Sequence, residues 1–424
     1  MRRFDAIISH RSHNHKRHLL IVEEAVDSRE PIKMEIVLDR LLRALPDFLV
    51  LIVSVVGQTV GLVWLLGWRA ARAGGKIRLA IAVVGLLSMA ASIFTFLLRF
   101  QVVARHFPGW WLGWGTGLSI AWALLSLSWL LGCAVLLICS WAIRGHSPAR
   151  RRFFRTAYTA LLAAPPAALA YGTFIQRHQL YLREQKLDVP DLPPDLDGLR
   201  MVQLTDIHLS PFLSRTELQR AVDMANETRA NIAVVTGDLI TTWRDPLDDC
   251  LDILAGLRAD AGVFGCMGNH EIYAHAEDYT EREGARRGLR FLRRTAALLR
   301  FGNATLNLAG VDYQRKGRRY LAGAEKLVVP GAFNVLLSHS PDVFPVATRK
   351  GYALTIAGHT HGGQIRMEIL NADINPARFY TPYVDGLYRR GAASIFVSRG
   401  IGTIAVPARL GAPPEVALLR LCRT

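Results

Sequence analysis

The chain has 424 residues, 51% of them hydrophobic, and a formal net charge of +16, so it is too apolar for an ordinary water-soluble protein and long enough for more than one domain of ~150 residues. Much of the positive excess flanks apolar runs, which suits membrane anchoring better than a basic nucleic-acid footprint, so no nucleic-acid partner is expected. The five cysteines form no CxxC pair, which excludes a disulfide framework and a zinc knuckle.

Residues 1–33 are basic and lack apolar periodicity. They read as an N-terminal extension that is disordered or outside the native chain, with Met34 as an alternative start. Residues 34–176 read as an α-helical membrane domain with about four transmembrane helices: Phe48–Leu66, Leu79–Leu98, Leu118–Ile143 and Tyr158–Ile175. Each run lacks Asp, Glu, Lys and Arg and is close to the ~20 residues that cross a hydrocarbon core. Pro165 and Pro166 interrupt the fourth, and Trp110, Trp111 and Trp114 precede the third, where an interfacial aromatic belt belongs. The loop after the first run carries Arg69, Arg72, Lys76 and Arg78, and the loop after the third carries Arg144, Arg150, Arg151, Arg152 and Arg155. The loop after the second has only Arg99 and Arg105. Positive loops stay cytoplasmic, so a multi-pass protein of the cell inner membrane is expected, with its C-terminal half on the extracytoplasmic side.

Residues 177–198 read as a linker, because LDVPDLPPDLDGL is rich in Pro and Asp. Residues 199–424 alternate short β-rich runs with helical patterns and predict an α/β domain. The expected strands are Arg200–Leu204, Ile232–Thr236, Gly262–Met267, Asn334–Leu337, Leu354–Ala357 and Ser394–Val397. Ser214 and Glu217 have capping-box spacing ahead of an apolar helical face, and a second helix is expected from near Asp245.

Polar residues cluster just after these strands, where open α/β sheets bind ligands. Asp206 and His208 are two apart, so an extended segment points both to one side. Asp238 follows Gly237, and Asn269, His270 and Glu271 follow Gly268. His339 ends an apolar run, and His359 and His361 are boxed by glycines that let the backbone approach an ion or a phosphate. Asp, Asn and His in these numbers suit two divalent metal ions, Mn, Fe or Zn, with Asp238 as the best bridging carboxylate. Glu271 is expected to orient the turn or a ligand, His275 to lie at the surface, and Arg399 to face either a substrate phosphate or solvent.

The order D-x-H, G-D, G-N-H-E, H and G-H-x-H, together with LDGLRMVQLTDIHLS, LAGVDY, LLSHSPD, GHTHGGQI and VSRGIGT, resembles the calcineurin-like metallophosphoesterase superfamily over roughly residues 195–417. It looks closest to the membrane-associated branch of YkuE/YaeI-like phosphoesterases. The resemblance implies an αββα sandwich of two mixed β-sheets flanked by helices. It implies that Asp206, His208, Asp238 and His361 hold one metal and that Asp238, Asn269, His339 and His359 hold the other. His270 would be the catalytic acid or transition-state stabiliser, and a metal-bridging hydroxide the nucleophile. The implied activity is that of a metal-dependent phosphoric ester hydrolase on a phosphomonoester, phosphodiester or pyrophosphate. Tethering to the membrane lipid bilayer points to a phosphate-containing, lipid-linked substrate. The alternatives are a catalytically inactive membrane sensor or scaffold, and a nuclease, which would need aromatic residues interleaved with basic ones.

Overall fold

A computed structural model describes residues 51–52, 54–63, 74–98, 106–142, 147–315, 319–369 and 372–424. Four apolar helices come first: α1 Ser54–Val63, α2 Gly75–Leu97, α3 Gly109–Ala142 and α4 Pro148–Phe174. Among the described residues, three helical segments are long and apolar enough to cross a membrane: Gly75–Leu97, Gly109–Cys139 and Arg152–His178. Helix α1 falls inside the expected first run, whose ends lie outside the described residues, as do residues 1–33, Arg69, Arg72, Arg99, Arg105 and Arg144.

Three expectations change. Trp110, Trp111 and Trp114 lie in the first turns of α3 rather than ahead of it. Arg150, Arg151, Arg152 and Arg155 belong to α4 rather than to a loop, because the helix extends beyond the part that is apolar enough to cross. Helix α4 also continues through Pro165 and Pro166. A packed neighbour helps a helix tolerate such a break, and Gly132 of α3 leaves room for Leu161 of α4 one turn before Pro165. Gln58 of α1 donates to Ser92 of α2 at 3.1 Å and accepts from Ser88 at 2.7 Å, polar contacts that join helices where apolar side chains have no preference between lipid and protein.

Among the described residues, the remainder folds into fourteen strands and five further helices. In chain order the strands are β1 Tyr181–Val189, β2 Arg200–Leu204, β3 Ile232–Val235, β4 Val263–Gly265, β5 Leu289–Phe291, β6 Thr295–Phe301, β7 Ala304–Val311, β8 Phe333–Ser338, β9 Leu354–Ala357, β10 Met367–Ile369, β11 Ala372–Ile374, β12 Gly386–Arg390, β13 Ala393–Val397 and β14 Glu415–Arg423. The helices are α5 Arg215–Glu227, α6 Leu247–Leu254, α7 Asn269–Tyr273, α8 Glu277–Arg286 and α9 Phe344–Arg349. One six-stranded sheet runs β1-β14-β2-β3-β4-β5 and the other β12-β13-β9-β8-β7-β6, both mixed, and β10 and β11 form a small ribbon.

The two sheets pack face to face. Met201, Ile232, Val234 and Leu419 of the first share a buried cluster with Leu308, Val335, Leu337, Ile356 and Phe396 of the second. The period-two alternation then sends Val202, Leu204, Ala233 and Val235 to the opposite face, under Leu218, Ala221 and Val222 of α5 and Leu251 and Leu254 of α6. The capping box of α5 is formed: Glu217 N donates to Ser214 Oγ at 3.2 Å, and Ser214 N to Glu217 Oε2 at 2.8 Å. Layers of helix, sheet, sheet and helix result. Residues 177–198 are not a free linker, since β1 pairs in parallel with β14 along its whole length and leaves alternate residues exposed at the sheet edge.

Candidate metal centre

Strands β2, β3, β4, β8 and β9 run into turns that carry Asp206 and His208, Asp238, Asn269 and His270, His339, and His359 and His361. Five of these residues have left-handed backbone: Asp206 at φ 49°, His208 at 47°, Asp238 at 56°, His359 at 77° and His361 at 53°. Such a residue reverses the chain within one step of a strand end, and Asp and His are among the non-glycine types that tolerate it. Gly358 has no room for a side chain, as a Cβ there would stand 2.2 Å from Thr205 Oγ1 and 2.3 Å from Asp206 Oδ2.

These turns bring every expected Asp and His ligand to one place, and Asn269 opens α7 next to His270. Three groups have ligand atoms within 4.8 Å of one another: Asp206, His208 and His361; His208, Asp238 and His270; and Asp238, His339 and His359. His339 Nε2 lies 3.0 Å from Asp238 Oδ2 and 4.0 Å from Asp206 Oδ1. His361 Nε2 is 3.4 Å from Asp206 Oδ1, His208 Nε2 is 3.5 Å from Asp238 Oδ2, and His359 Nδ1 is 3.1 Å from His339 Nε2. The other ring nitrogens are held from behind. His339 Nδ1 donates to the Thr236 carbonyl at 2.7 Å, and His270 Nδ1 to the Thr241 carbonyl at 2.7 Å. His208 Nδ1 pairs with the Thr241 hydroxyl at 3.1 Å. Fixing Nδ1 turns Nε2 toward the centre, as metal-binding histidines require. His208 Nε2 and Asn269 Oδ1 are buried ligand atoms without a hydrogen-bond partner. A divalent cation is the group that would satisfy both.

The carboxylates are aimed by backbone. His359 N donates to both oxygens of Asp206 at 2.9 Å, and His270 N to Asp238 Oδ1 at 2.9 Å. Buried Glu271 accepts from Asp238 N at 2.9 Å, Leu239 N at 2.7 Å and Gly268 N at 2.8 Å, so it locks the turn that presents Asp238. Burial and the nearby Asp238 charge raise Asp206 to about 6, against the pull of His339. Burial also pushes Asp238 upward, but the imidazoles of His339, His270 and His208 outweigh it and hold this carboxyl well below its ordinary value. Burial lowers His208 and His359 to about 3 and takes His361 well below its usual value, so these rings are neutral and ready to ligate. His339 is the exception: burial disfavours its charge, yet Asp238 and Asp206 raise it to about 10.

Arg399 does not lie in solvent. Its Nε donates to Asp385 Oδ2 at 2.7 Å and its Nη1 to the Tyr181 hydroxyl at 2.8 Å, because β1 and the loop before β12 bring those acceptors alongside it. His275 is exposed. The sequence hid an aromatic rim: Tyr313 stands 5.4 Å from the His359 ring and Tyr273 5.8 Å from that of His270. These residues lie far apart in the chain. Arg409, fully buried behind His361, was also missed, as nothing in PARLGAPP marks a core arginine.

Comparison with known proteins agrees with this geometry. Residues 199–363 match the calcineurin-like phosphoesterase family, a narrower span than the expected 195–417. The metallophosphoesterase YkuE of Bacillus subtilis is 27% identical over 282 residues, covering 65% of this chain and 98% of YkuE. The phosphodiesterase YaeI of Escherichia coli is 26% identical over 275 residues, covering 64% of this chain and 98% of YaeI. A transmembrane protein with a metallophosphoesterase domain from Danio rerio is 29% identical over 279 residues, with 62% of each chain covered. With two mixed sheets between helices and the expected residues gathered at the strand ends, residues 199–363 match the calcineurin-like phosphoesterase family, and the chain is similar to the membrane-associated YkuE and YaeI.

Proposed function

We propose that this protein is a membrane-anchored, dinuclear-metal phosphoesterase that hydrolyses a phosphomonoester, phosphodiester or pyrophosphate bond of a lipid-linked substrate. The observation that carries the reading is the gathering of Asp206, His208, Asp238, Asn269, His339, His359 and His361 at adjacent strand ends, with His208 Nε2 and Asn269 Oδ1 left without partners. Asp206, His208 and His361 with Asp238 would be the donor set for one ion, and Asp238, Asn269, His339 and His359 for the other, with Asp238 serving both. When bound, two divalent ions of Mn, Fe or Zn supply an activated water and neutralise phosphate charge.

The protein's own groups do the rest. His270 keeps Nδ1 on the Thr241 carbonyl and offers Nε2 beside Asp238 and His208, at the place where a leaving oxygen needs a proton. Tyr313 and Tyr273, beside the rings of His359 and His270, are placed to contact apolar parts of a substrate. Support for a lipid-linked substrate comes from the rim. Arg244, three residues past Thr241, donates to the carbonyl of Phe107 at 3.3 Å, and Phe107 stacks on Trp111 at the start of α3. The loop whose Thr241 holds His270 thus adjoins the tryptophans suited to a membrane interface.

Orientation follows from the same helices. Pro211, Phe212 and Pro407 touch Gly113 and Gly117 near the start of α3, so the phosphoesterase lies at that end of the bundle. Arg150–Arg155 occupy the start of α4 and the domain follows its other end, while Lys76 and Arg78 open α2. Basic ends stay cytoplasmic, which supports an extracytoplasmic catalytic domain on a multi-pass inner-membrane protein.

The test is metal analysis of the full chain in detergent, with hydrolysis of bis-p-nitrophenyl phosphate and of a phospholipid in mixed micelles. Two ions per chain are expected, with loss of the shared ligand in Asp238→Asn abolishing both binding and turnover. An Asp238→Asn variant with full metal content and activity refutes the centre. Turnover of soluble esters alone removes the lipid-linked substrate.

A further inference from the structure

The loop from Ile404 to Gly411 is gripped by the membrane helices. Val406 and Ala408 are buried with Ala121 of α3, against Ile120, Leu169 and Ile365. A Cβ on Gly117 of α3 would stand 2.8 Å from Pro407 Cδ and 3.1 Å from the Ala405 carbonyl oxygen. One on Gly172 of α4 would stand 2.7 Å from the Arg409 carbonyl oxygen, and Arg409 N donates to the Gly172 carbonyl at 3.1 Å. Ala405 is held at φ 60°, a left-handed conformation that alanine leaves unless its surroundings fix it.

The same loop is tied to the metal-ligand turns. Gln364 Nε2 donates to the carbonyls of Ile404 and Val406, both at 2.9 Å, and Gln364 Oε1 accepts from Ile404 N at 2.9 Å. Gln364 N donates to the carbonyl of His361 at 3.0 Å. Arg409 is buried and reaches several segments at once. Its Nη1 donates to the carbonyls of His361 at 3.2 Å, Arg399 at 2.8 Å and Ala412 at 3.2 Å, and its Nε to that of Gly402 at 3.0 Å. Gly402 N in turn donates to the Asp206 carbonyl at 2.7 Å. A buried guanidinium is costly unless its donors are used, and here they are used on the carbonyl of His361 and on that of Gly402, whose N–H holds Asp206.

We infer that α3 and α4 are part of the scaffold of the hydrolytic site, and that loop 404–411 is a strut through which Arg409 and Gln364 position His361 and Asp206. Arg409 is a positioning residue that touches no reacting atom. The inference rests on the metal-centre reading, and it assigns to the membrane helices a task beyond tethering. One of the two ion sites, that of Asp206, His208 and His361, depends on the grip of α4. The other, built on His339 and His359, receives no direct hydrogen bond from Arg409 or Gln364.

The experiment compares full-length Gly172→Leu and Arg409→Gln with wild type and with Gly132→Leu in nanodiscs. Gly132 faces Leu161 of α4 within the bundle and makes no contact with the strut, so it controls for general disturbance of helix packing. Metal stoichiometry and chelator competition are read without substrate. Gly172→Leu and Arg409→Gln are expected to bind one of the two ions about 10–100-fold more weakly, as loss of an outer support does in metal sites, while Gly132→Leu holds both. Wild-type stoichiometry and competition in Gly172→Leu overturn the strut, even if Arg409→Gln does not fold. So does equal loss in Gly132→Leu. A wild-type chain that binds no pair of ions defeats the metal-centre reading instead, and that result is seen before any substitution is made.

Discussion

Replacing Glu271 by Gln tests how the site is held rather than what it binds. The carboxylate accepts three backbone N–H groups, from Asp238, Gly268 and Leu239, at 2.9, 2.8 and 2.7 Å. Burial and the neighbouring Asp238 push this carboxyl up from its ordinary value, and the amides of Gly268 and Asp238 counter them by favouring the ionised form. A glutamine keeps two of the bonds if its oxygen takes the place of Oε2. Its NH2 then faces Leu239 N–H, donor against donor. One buried N–H left unpaired costs about 1–3 kcal/mol, and the two surviving bonds lose charge assistance worth about 1 kcal/mol each. The sum is about 3–5 kcal/mol, or roughly 10 °C in midpoint for a domain of this size. The loosened turn carries Asp238, so metal affinity falls with stability, by about tenfold or more. Fluorescence melts of the full chain in detergent, with and without chelator, and metal analysis of the same samples measure both. A variant that melts with wild type and keeps its metal would show that Glu271 does not hold the turn.

Two other expectations follow from the electrostatics. In metal-free protein, His208 and His359 are lowered from 6.5 to about 3, His361 is also well below 6.5, and Asp206 is raised from 3.8 to about 6. Below about pH 6.5 the unfolded chain therefore takes up protons on these three imidazoles that the folded chain does not, while raised Asp206 and Glu271 take up protons earlier in the folded chain. The three lowered imidazoles outnumber the two raised carboxyls, so stability falls as pH drops from about 6 toward 4. Melts of chelator-treated protein across this range check it, and a midpoint that is flat or rises toward pH 4 contradicts it. Arg399→Ala should lower stability by about 1–3 kcal/mol by removing the partner of Asp385 and Tyr181, with KM for a phosphoester nearly unchanged. A rise in KM of about tenfold or more at unchanged midpoint would instead restore a substrate contact.

The parts legible in the sequence were those with short-range signals. Apolar runs gave β2, β3, β4, β8, β9 and β13 to within a residue or two, since central strands covered on both faces read as unbroken hydrophobic stretches. Strand β1 was lost because YLREQKLDV alternates polar and apolar at a sheet edge, and because its partner β14 lies more than 200 residues away. The exposed edge strands β6 and β12 failed for the same reason. In the site, residue type and spacing were enough for the ligands. They could not reveal supports whose role is set by tertiary contact: Arg409 is an ordinary loop arginine until four carbonyls surround it. The practical consequence is that a soluble fragment starting at Asp195 would lack β1 and both membrane contacts of loop 404–411.

The alternative of an inactive scaffold can be weighed by what the metal-free site costs. Five of the expected ligands occupy left-handed backbone, each an expense that regular residues at a surface turn would avoid. Asp206 and Asp238 lie close enough for one charge to raise the other's carboxyl, and two further ligand atoms, His208 Nε2 and Asn269 Oδ1, are buried without partners. A single proton on His339 relieves only part of this, because His339 reaches Asp238 at 3.0 Å but Asp206 only at 4.0 Å. Strain, like charge and orphaned donors and acceptors all point inward to the same small volume. A polar turn that served folding alone would relieve them separately, with glycine in the reversals and an uncharged residue at one aspartate. Divalent cations relieve them together, and that shared remedy is the physical reason to read the cluster as a working centre.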